Sequence, residues 1–422
     1  MINPYEAWRR WLLFVLAAFM PLTAVAQDFQ PIKLQSKITQ IQPMTGIVLW
    51  SDNFYAEKHP AVISLEYRYC GYNEVVNSKG EYDFSILDRM LDEISKRNHQ
   101  AVLRFNFCYV GKETTVPEFI LNRSDYEETI GKSEGKKTHF CDWSNQALQE
   151  FTLEFYTKLA ERYDNDPRIA FLQTGFGLWA EYHIYDGPRK MGKTFPSKGY
   201  QAKFLRHIDQ QFTSLPWSIS IDSADNEYSP LEDNEKLLAL EFGVFDDSFL
   251  CKPHPKENAV NWEILGPERW QRQPGGGEFS YYNMKDQKKA LSENGPNGVS
   301  FEKAAKQFHI TYMIGNDQPQ HSTPERIMSA GMATGYRFRV VSATTNGKDL
   351  RIKVTNDGVA PIYRDAFFAA GAKRAKTSLR GLLPGQTLDC TIVGLSKRDI
   401  EQISIQSDSI LPTQKIEFNA DL

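Results

Sequence analysis

From Thr45 to about Tyr336 the chain alternates short apolar runs, rich in β-branched and aromatic residues, with longer stretches whose apolar positions recur at helical spacing. The strand-like runs are Gly46 to Trp50, Ala61 to Tyr67, Ala101 to Phe107, Ile169 to Thr174, Trp217 to Ile221, Glu241 to Phe245, Gly277 to Tyr281 and Ile310 to Ile314. Between them, Phe84 to Asn98 gathers Ile86, Leu87, Met90, Leu91 and Ile94 on one helical face. Ser144 is placed to cap a helix that runs to about Tyr163, with Leu148, Phe151, Phe155 and Leu159 inward. Further helices are expected over Lys198 to Phe212, Trp262 to Gln271, Phe301 to Phe308 and Thr323 to Ala333. Asp164-Asn165-Asp166-Pro167 reads as a helix stop, because it lacks the rest of a calcium loop. Repeated β/α alternation predicts an α/β chain built on a (β/α)8 TIM barrel, for which about 250 residues is typical. A doubly wound sheet is the competing arrangement, but no GxGxxG follows the first strand and no P-loop occurs.

After Gly335 the texture changes to short strand-like runs: Tyr336 to Ala343, Asp349 to Thr355, Ala366 to Ala370, Leu388 to Val393 and Gln402 to Gln406. Turn signals such as Asn346-Gly347, Asp357-Gly358 and Pro384-Gly385 separate them. This pattern predicts a small antiparallel β-sandwich-like domain over residues 336–422, behind a barrel over residues 27–335.

Residues 1–26 read as a secretory signal. Arg9 and Arg10 precede the apolar run Trp11 to Met20, and Ala24-Val25-Ala26 is a small-residue cleavage pattern before Gln27. A run this short cannot cross about 30 Å of hydrocarbon, so a secreted or periplasmic bacterial protein without a membrane anchor is expected. Export permits disulfides, yet the 5 cysteines are few and odd in number, so no disulfide framework holds the fold. Cys108 and Cys141 approach each other if the loop between them folds back; buried free thiols are the competing reading. No CxxC or HExxH occurs, and neither a metal nor a cofactor is expected.

Composition narrows the class. A net charge of −4 with 41% hydrophobic residues excludes a disordered chain and a basic nucleic-acid binder. Aromatic residues at 13% are enough to line a groove as well as fill a core.

In a barrel of this kind the chemistry sits at the carboxyl ends of the strands. Read in order, those ends offer Glu66, Arg68 and Tyr69; Arg104, Asn106 and Tyr109; Trp179, Glu181 and His183; Asp222, Asp225 and Glu227; Asp246 and Asp247; Glu278, Tyr281 and Tyr282; and Asn316 and Asp317. Such a ring suits a carbohydrate, which needs many hydrogen bonds and an aromatic floor. From it, Arg104, Asn106, Trp179, His183, Asp225, Asp246, Tyr281 and Asp317 are the candidate substrate-binding residues. Helix capping or loop solvation accounts for the aspartates equally well, and core packing for any single aromatic. Glu181 and Glu278 stand apart, because each follows a glycine-rich stretch and the two are spaced as the ends of strands four and seven. Two carboxyls with separated pKa values supply what acetal cleavage needs, a proton donor and a nucleophile or base. Trp179 is placed to raise the pKa of Glu181, and Arg104, if it reaches Glu278, to keep that group ionised.

The sequence resembles the large retaining clan of (β/α)8 glycoside hydrolases that includes β-galactosidases and endo-β-glucanases. The resemblance lies in Tyr82-Asp83-Phe84, Val102-Leu103-Arg104-Phe105 and Gly177-Leu178-Trp179-Ala180-Glu181-Tyr182-His183, and in the tail Thr355-Asn356-Asp357-Gly358. It implies that Glu181 is the acid/base and Glu278 the nucleophile; with the leader pattern, the expectation is an exported glycosidase acting on a poly- or oligosaccharide. One position departs from the clan, where Asn commonly precedes the acid/base and this chain has Ala180. That departure supports one alternative, a carbohydrate-binding or surface protein on a barrel scaffold without turnover; another is a polysaccharide lyase that uses Tyr and Arg on an acidic polysaccharide, though no strongly basic groove is visible in the sequence.

Overall fold

The computed structural model describes residues 28–422; the leader read over residues 1–26 lies outside them. Eight parallel strands close into a ring: Gly46–Trp50, Leu65–Gly71, Gln100–Asn106, Ile169–Gln173, Trp217–Ser220, Gly243–Phe249, Gly275–Phe279 and Tyr312–Ile314. The eighth pairs with the first, Tyr312 opposite Gly46, so no edge is left open. The helices Ser85–Lys96, Gln146–Tyr163, Lys198–Gln211, Asn258–Leu265, Phe301–Gln307 and Pro324–Met332 return the chain between strands. The long helix is capped by Asn145, whose side chain accepts from the Leu148 amide, and not by Ser144. It ends at Asp164, as the Asp-Pro signal indicates. The helix expected over Trp262 to Gln271 is broken at Gly266-Pro267 into Asn258–Leu265 and a 3-10 turn at Arg269–Gln271.

Strand two starts four residues later than its apolar pattern suggests, because Pro60–Val62 forms a 3-10 turn. Glu66 therefore sits near the start of the strand and not beyond its end. There it is fully buried against Arg97 at 2.6 Å and His99 at 2.7 Å, a structural ion cluster far from the mouth.

The second sheet is more than a tail. Its strands run in the order Thr387–Ile392, Leu350–Asn356, Phe338–Thr345, Phe418–Asp421 and Gln35–Ser36, and Gln30–Pro31 also pairs with Phe338–Thr345. The first described residues thus join a sheet that the pattern located wholly after Gly335. One pair in it, Phe338 with Phe418, is parallel. A three-stranded sheet of Lys373–Arg374, Phe367–Ala370 and Ile403–Gln406 completes the module.

The module closes the amino-terminal end of the barrel. Buried Arg364 donates to the carbonyl of Ile169, where strand four begins, and Gln100 at the start of strand three donates to the Ser409 carbonyl. Inside the barrel, Val48, Tyr67, Val102, Phe171 and Tyr312 form one apolar cluster with the module residues Tyr336, Phe338 and Phe368. The barrel interior is packed rather than hollow, which leaves the carboxyl-terminal mouth as the end open to a ligand.

Candidate active site

Strand four ends at Gln173, and the chain then folds a tight loop that presents Glu181. The Gly177 amide donates to the Glu181 carbonyl at 2.7 Å, the Leu178 amide to the His183 carbonyl, and the Trp179 amide to the Cys108 carbonyl. Gly177 is required here, since a Cβ would lie 2.0 Å from the His183 carbonyl oxygen. Trp179 and Ala180 both have left-handed backbone, with φ of 55° and 58°. Two such non-glycine residues in succession cost about 1 to 3 kcal/mol each, strain of a kind that collects at functional sites.

Glu278 lies within strand seven, one residue after Gly277. A Cβ on Gly277 would come 2.0 Å from the Asp246 carbonyl oxygen, so glycine lets strands six and seven approach at this level. The glycine runs before both glutamates thus have one physical role, close packing of backbone beside a carboxylate.

Asp247 is close enough to raise the pKa of both glutamates. Its carboxylate accepts from the Arg104 guanidinium at 2.6 Å, while Arg104 also donates to Gln173 at 2.8 Å and lies over the Phe245 ring at 4.0 Å. Arg104 is fully buried in the barrel centre. It pairs with Asp247 and not with Glu278, which it influences only through space. Burial raises the Asp247 carboxyl, and Arg104 opposes that rise. Burial and the charge of Asp247 push Glu278 well above the usual carboxylate range, against Arg104, and the charge of Glu181 adds to the rise. The condition set for Arg104, that it reach Glu278, is not met: it pairs with Asp247, and its charge favours ionised Glu278 only through space. Burial pushes Glu181 up to about 7, with His183 lowering it and Asp247 and Asp222 raising it.

His183 bridges two carboxylates, with Nε2 3.2 Å from Glu181 and 3.8 Å from Asp222. Burial disfavours its charge, but Asp222 and Glu181 together outweigh that and hold it up at about 9. Among the described residues these three form the group whose donor atoms converge as closely as cation ligands do, within 4.8 Å of one another. An imidazolium between two carboxylates satisfies the same electrostatic demand.

The remaining candidates divide. Tyr281 stands beside Asp317 and is influenced by Glu278, so all three share the mouth. Trp179 is half-buried at the rim, its carbonyl accepting from Arg104 at 3.3 Å. Asp246 is turned away: it is fully buried on the outer face of strand six, accepting from Asn258 at 2.7 Å with His254 at 3.1 Å. Successive strand residues face opposite sides, so the inward position belongs to Asp247. Asp225 is exposed and caps a turn by accepting from the Glu227 amide. Asn106 is buried at the end of strand three, its carbonyl taken by Thr115. Tyr69, influenced by Asp247, Glu278 and Glu181 alike, joins the mouth once strand two is placed correctly.

Residues 60–223, which run from strand two through strand five and include Glu181, match the glycoside hydrolase 42 family model, described as Beta-galactosidase. Over that stretch, less than half of its length, the chain is similar to a family of glycoside hydrolases. No curated protein matches it. Among solved structures it overlaps an endoxylanase from Clostridium papyrosolvens C71 at 10% identity and a TM-score of 0.39, covering 87% of this chain and 100% of that one. An α-galactosidase from Thermus thermophilus overlaps at 14% identity and 0.40, covering 76% and 66%. A β-galactosidase from the haloarchaeon Halorubrum lacusprofundi overlaps at 12% and 0.37, covering 64% and 52%. These overlaps are too loose to carry an argument; the fold rests on the closed ring of eight strands.

Proposed function

We propose that the chain is a glycoside hydrolase that cleaves a poly- or oligosaccharide by a retaining mechanism, with Glu278 as nucleophile and Glu181 as acid/base. The observation that carries the reading is electrostatic. Two largely withdrawn carboxyls, from the loop after strand four and from strand seven, share one cluster with Asp247, and among the described residues Arg104 is the permanent cation that enters it. With a pKa of about 7, Glu181 retains a proton for the leaving oxygen near neutral pH. Glu278 then attacks the anomeric carbon, and water, deprotonated by Glu181, releases the sugar from the covalent intermediate. Positive charge developing on the sugar ring favours the ionised form of Glu278, so the group that is costly to ionise in the empty barrel is relieved in the transition state. Ala180 brings no amide to the sugar, which weakens recognition on the side of Glu181.

The test is a panel of glycans and 4-nitrophenyl glycosides, beginning with the β-D-galactopyranoside after the description of the matched family. Proton NMR then identifies the first-formed anomer. Retention supports the assignment; inversion overturns it, and an unsaturated product identifies a lyase instead. The leader pattern supports export, for which the expected result is a mature amino terminus near Gln27 by mass spectrometry.

A further inference from the structure

The loop carrying Glu181 continues into Tyr185, which is 56% exposed at the rim. Its ring stacks on Trp179 at 5.9 Å and 17°, and lies 5.2 Å from the His183 ring. The pair ends a chain of aromatic contacts that climbs from the barrel centre: Tyr67 to Tyr69 at 5.0 Å, Tyr69 to Tyr109 at 5.8 Å and Tyr109 to Trp179 at 6.3 Å. An exposed ring of this size is not left over from core packing, because no other described residue covers its outer part.

Tyr185 is also held in place from outside. The loop after strand three carries a hairpin, Thr129–Ser133 with Lys136–Phe140, whose turn residues Glu134 and Gly135 both have positive φ. Glu134 accepts from the Tyr185 hydroxyl at 2.5 Å, and its own amide donates to Asp186 at 2.6 Å. Lower down, a Cβ on Gly131 would lie 2.7 Å from Pro188, so the two loops pack tightly. The hairpin thus fixes an otherwise free aromatic ring at the rim, and a ring with two rotatable torsions fixed in this way binds at low entropic cost.

We propose that Tyr185, stacked on Trp179 and latched by Glu134, is the platform for the sugar on the leaving-group side of the scissile bond, so that the natural leaving group is itself a sugar. The inference rests on Glu181 as the acid, because the groups around the acid face the departing oxygen. Trp179, two residues before Glu181, and Tyr185, whose ring packs on the His183 that bonds Glu181, are the aromatic groups among them.

The test compares a disaccharide with the 4-nitrophenyl glycoside of the same glycone, chosen as the best substrate of the panel. Tyr185→Ala should lower the ratio of kcat/KM for disaccharide over aryl glycoside about tenfold, chiefly through KM. Tyr185→Phe, which keeps the ring and loses only the latch, should stay within about threefold of the wild-type ratio. A ratio unchanged in the Ala variant, or a Phe variant as impaired as Ala, would overturn the platform. Should the wild type turn over nothing, the mechanism has failed but the platform is still tested. Quenching of tryptophan fluorescence by lactose, cellobiose or xylobiose, lost in Tyr185→Ala, supports it, and no quenching by any of the three overturns it.

Discussion

The two ends of the barrel both withdraw carboxylates from water, wholly at one end and largely at the other, and they treat them oppositely. At the amino-terminal end, Glu66 meets Arg97 and His99, and the His99 ring is tied on its other side to the Pro60 carbonyl at 2.7 Å. One acid there has two basic partners. At the mouth, Glu181, Asp247 and Glu278 share Arg104 and the protonated His183 with Asp222, so acids outnumber bases. Burying charge is costly unless it is paired, so the first arrangement serves stability and the second keeps protons available at neutral pH.

The largest expected effect comes from removing what closes the stable end. Ending the chain at Gly335 strips apolar side chains from the barrel bottom and frees the Arg364 contact to Ile169. Soluble yield should collapse; a truncated barrel with the melting temperature of the full chain would show that the module is a mere appendage.

At the mouth, Glu278→Gln should lower kcat by at least about a thousandfold, because the amide keeps the shape but cannot attack. Its melting temperature should hold or rise, since an under-compensated acid has been removed. Glu66→Gln should do the reverse, leaving kcat intact while costing about 3 to 5 kcal/mol in denaturant unfolding, as expected when a buried ion pair loses one partner. Equal effects of the two substitutions on stability would erase the distinction between the ends.

The sequence pattern foresees the ring of strands well, because each buried strand is a short apolar run isolated by a helical stretch. Pairing and facing are less visible. Gly243–Phe249 is buried along most of its length, so nothing in Asp246-Asp247 tells which carboxylate turns inward; the register with strand seven decides it. Glu66 is misplaced for a related reason, because Ala61 and Val62 look like strand residues until Pro60 turns them into a 3-10 helix. Gln30–Pro31 and Gln35–Ser36 are two residues long, too short for any alternation to mark them. The glutamates are legible because the glycines before them announce close backbone packing. Tyr185 is not, because its function depends on a hairpin tip 51 positions away in sequence.

The smallest effect expected is the most specific. His183 sits between Glu181 and Asp222 and is protonated near neutral pH, its pKa being about 9. Its positive charge and its hydrogen bond both lower the pKa of Glu181, which still reaches about 7 through burial. A general acid works in its protonated form, so activity should fall as pH rises through about 7. His183→Asn removes the charge, and Asp222 is then uncompensated beside Glu181; both changes favour the protonated carboxyl. The alkaline limb of kcat/KM should therefore move upward, by about one pH unit if the shift is worth about 1.4 kcal/mol. The acidic limb, set by ionisation of Glu278, should move less, because His183 is not among the main influences on that carboxyl. An alkaline limb that stays in place, or moves downward, would mean that His183 holds the loop without tuning the acid.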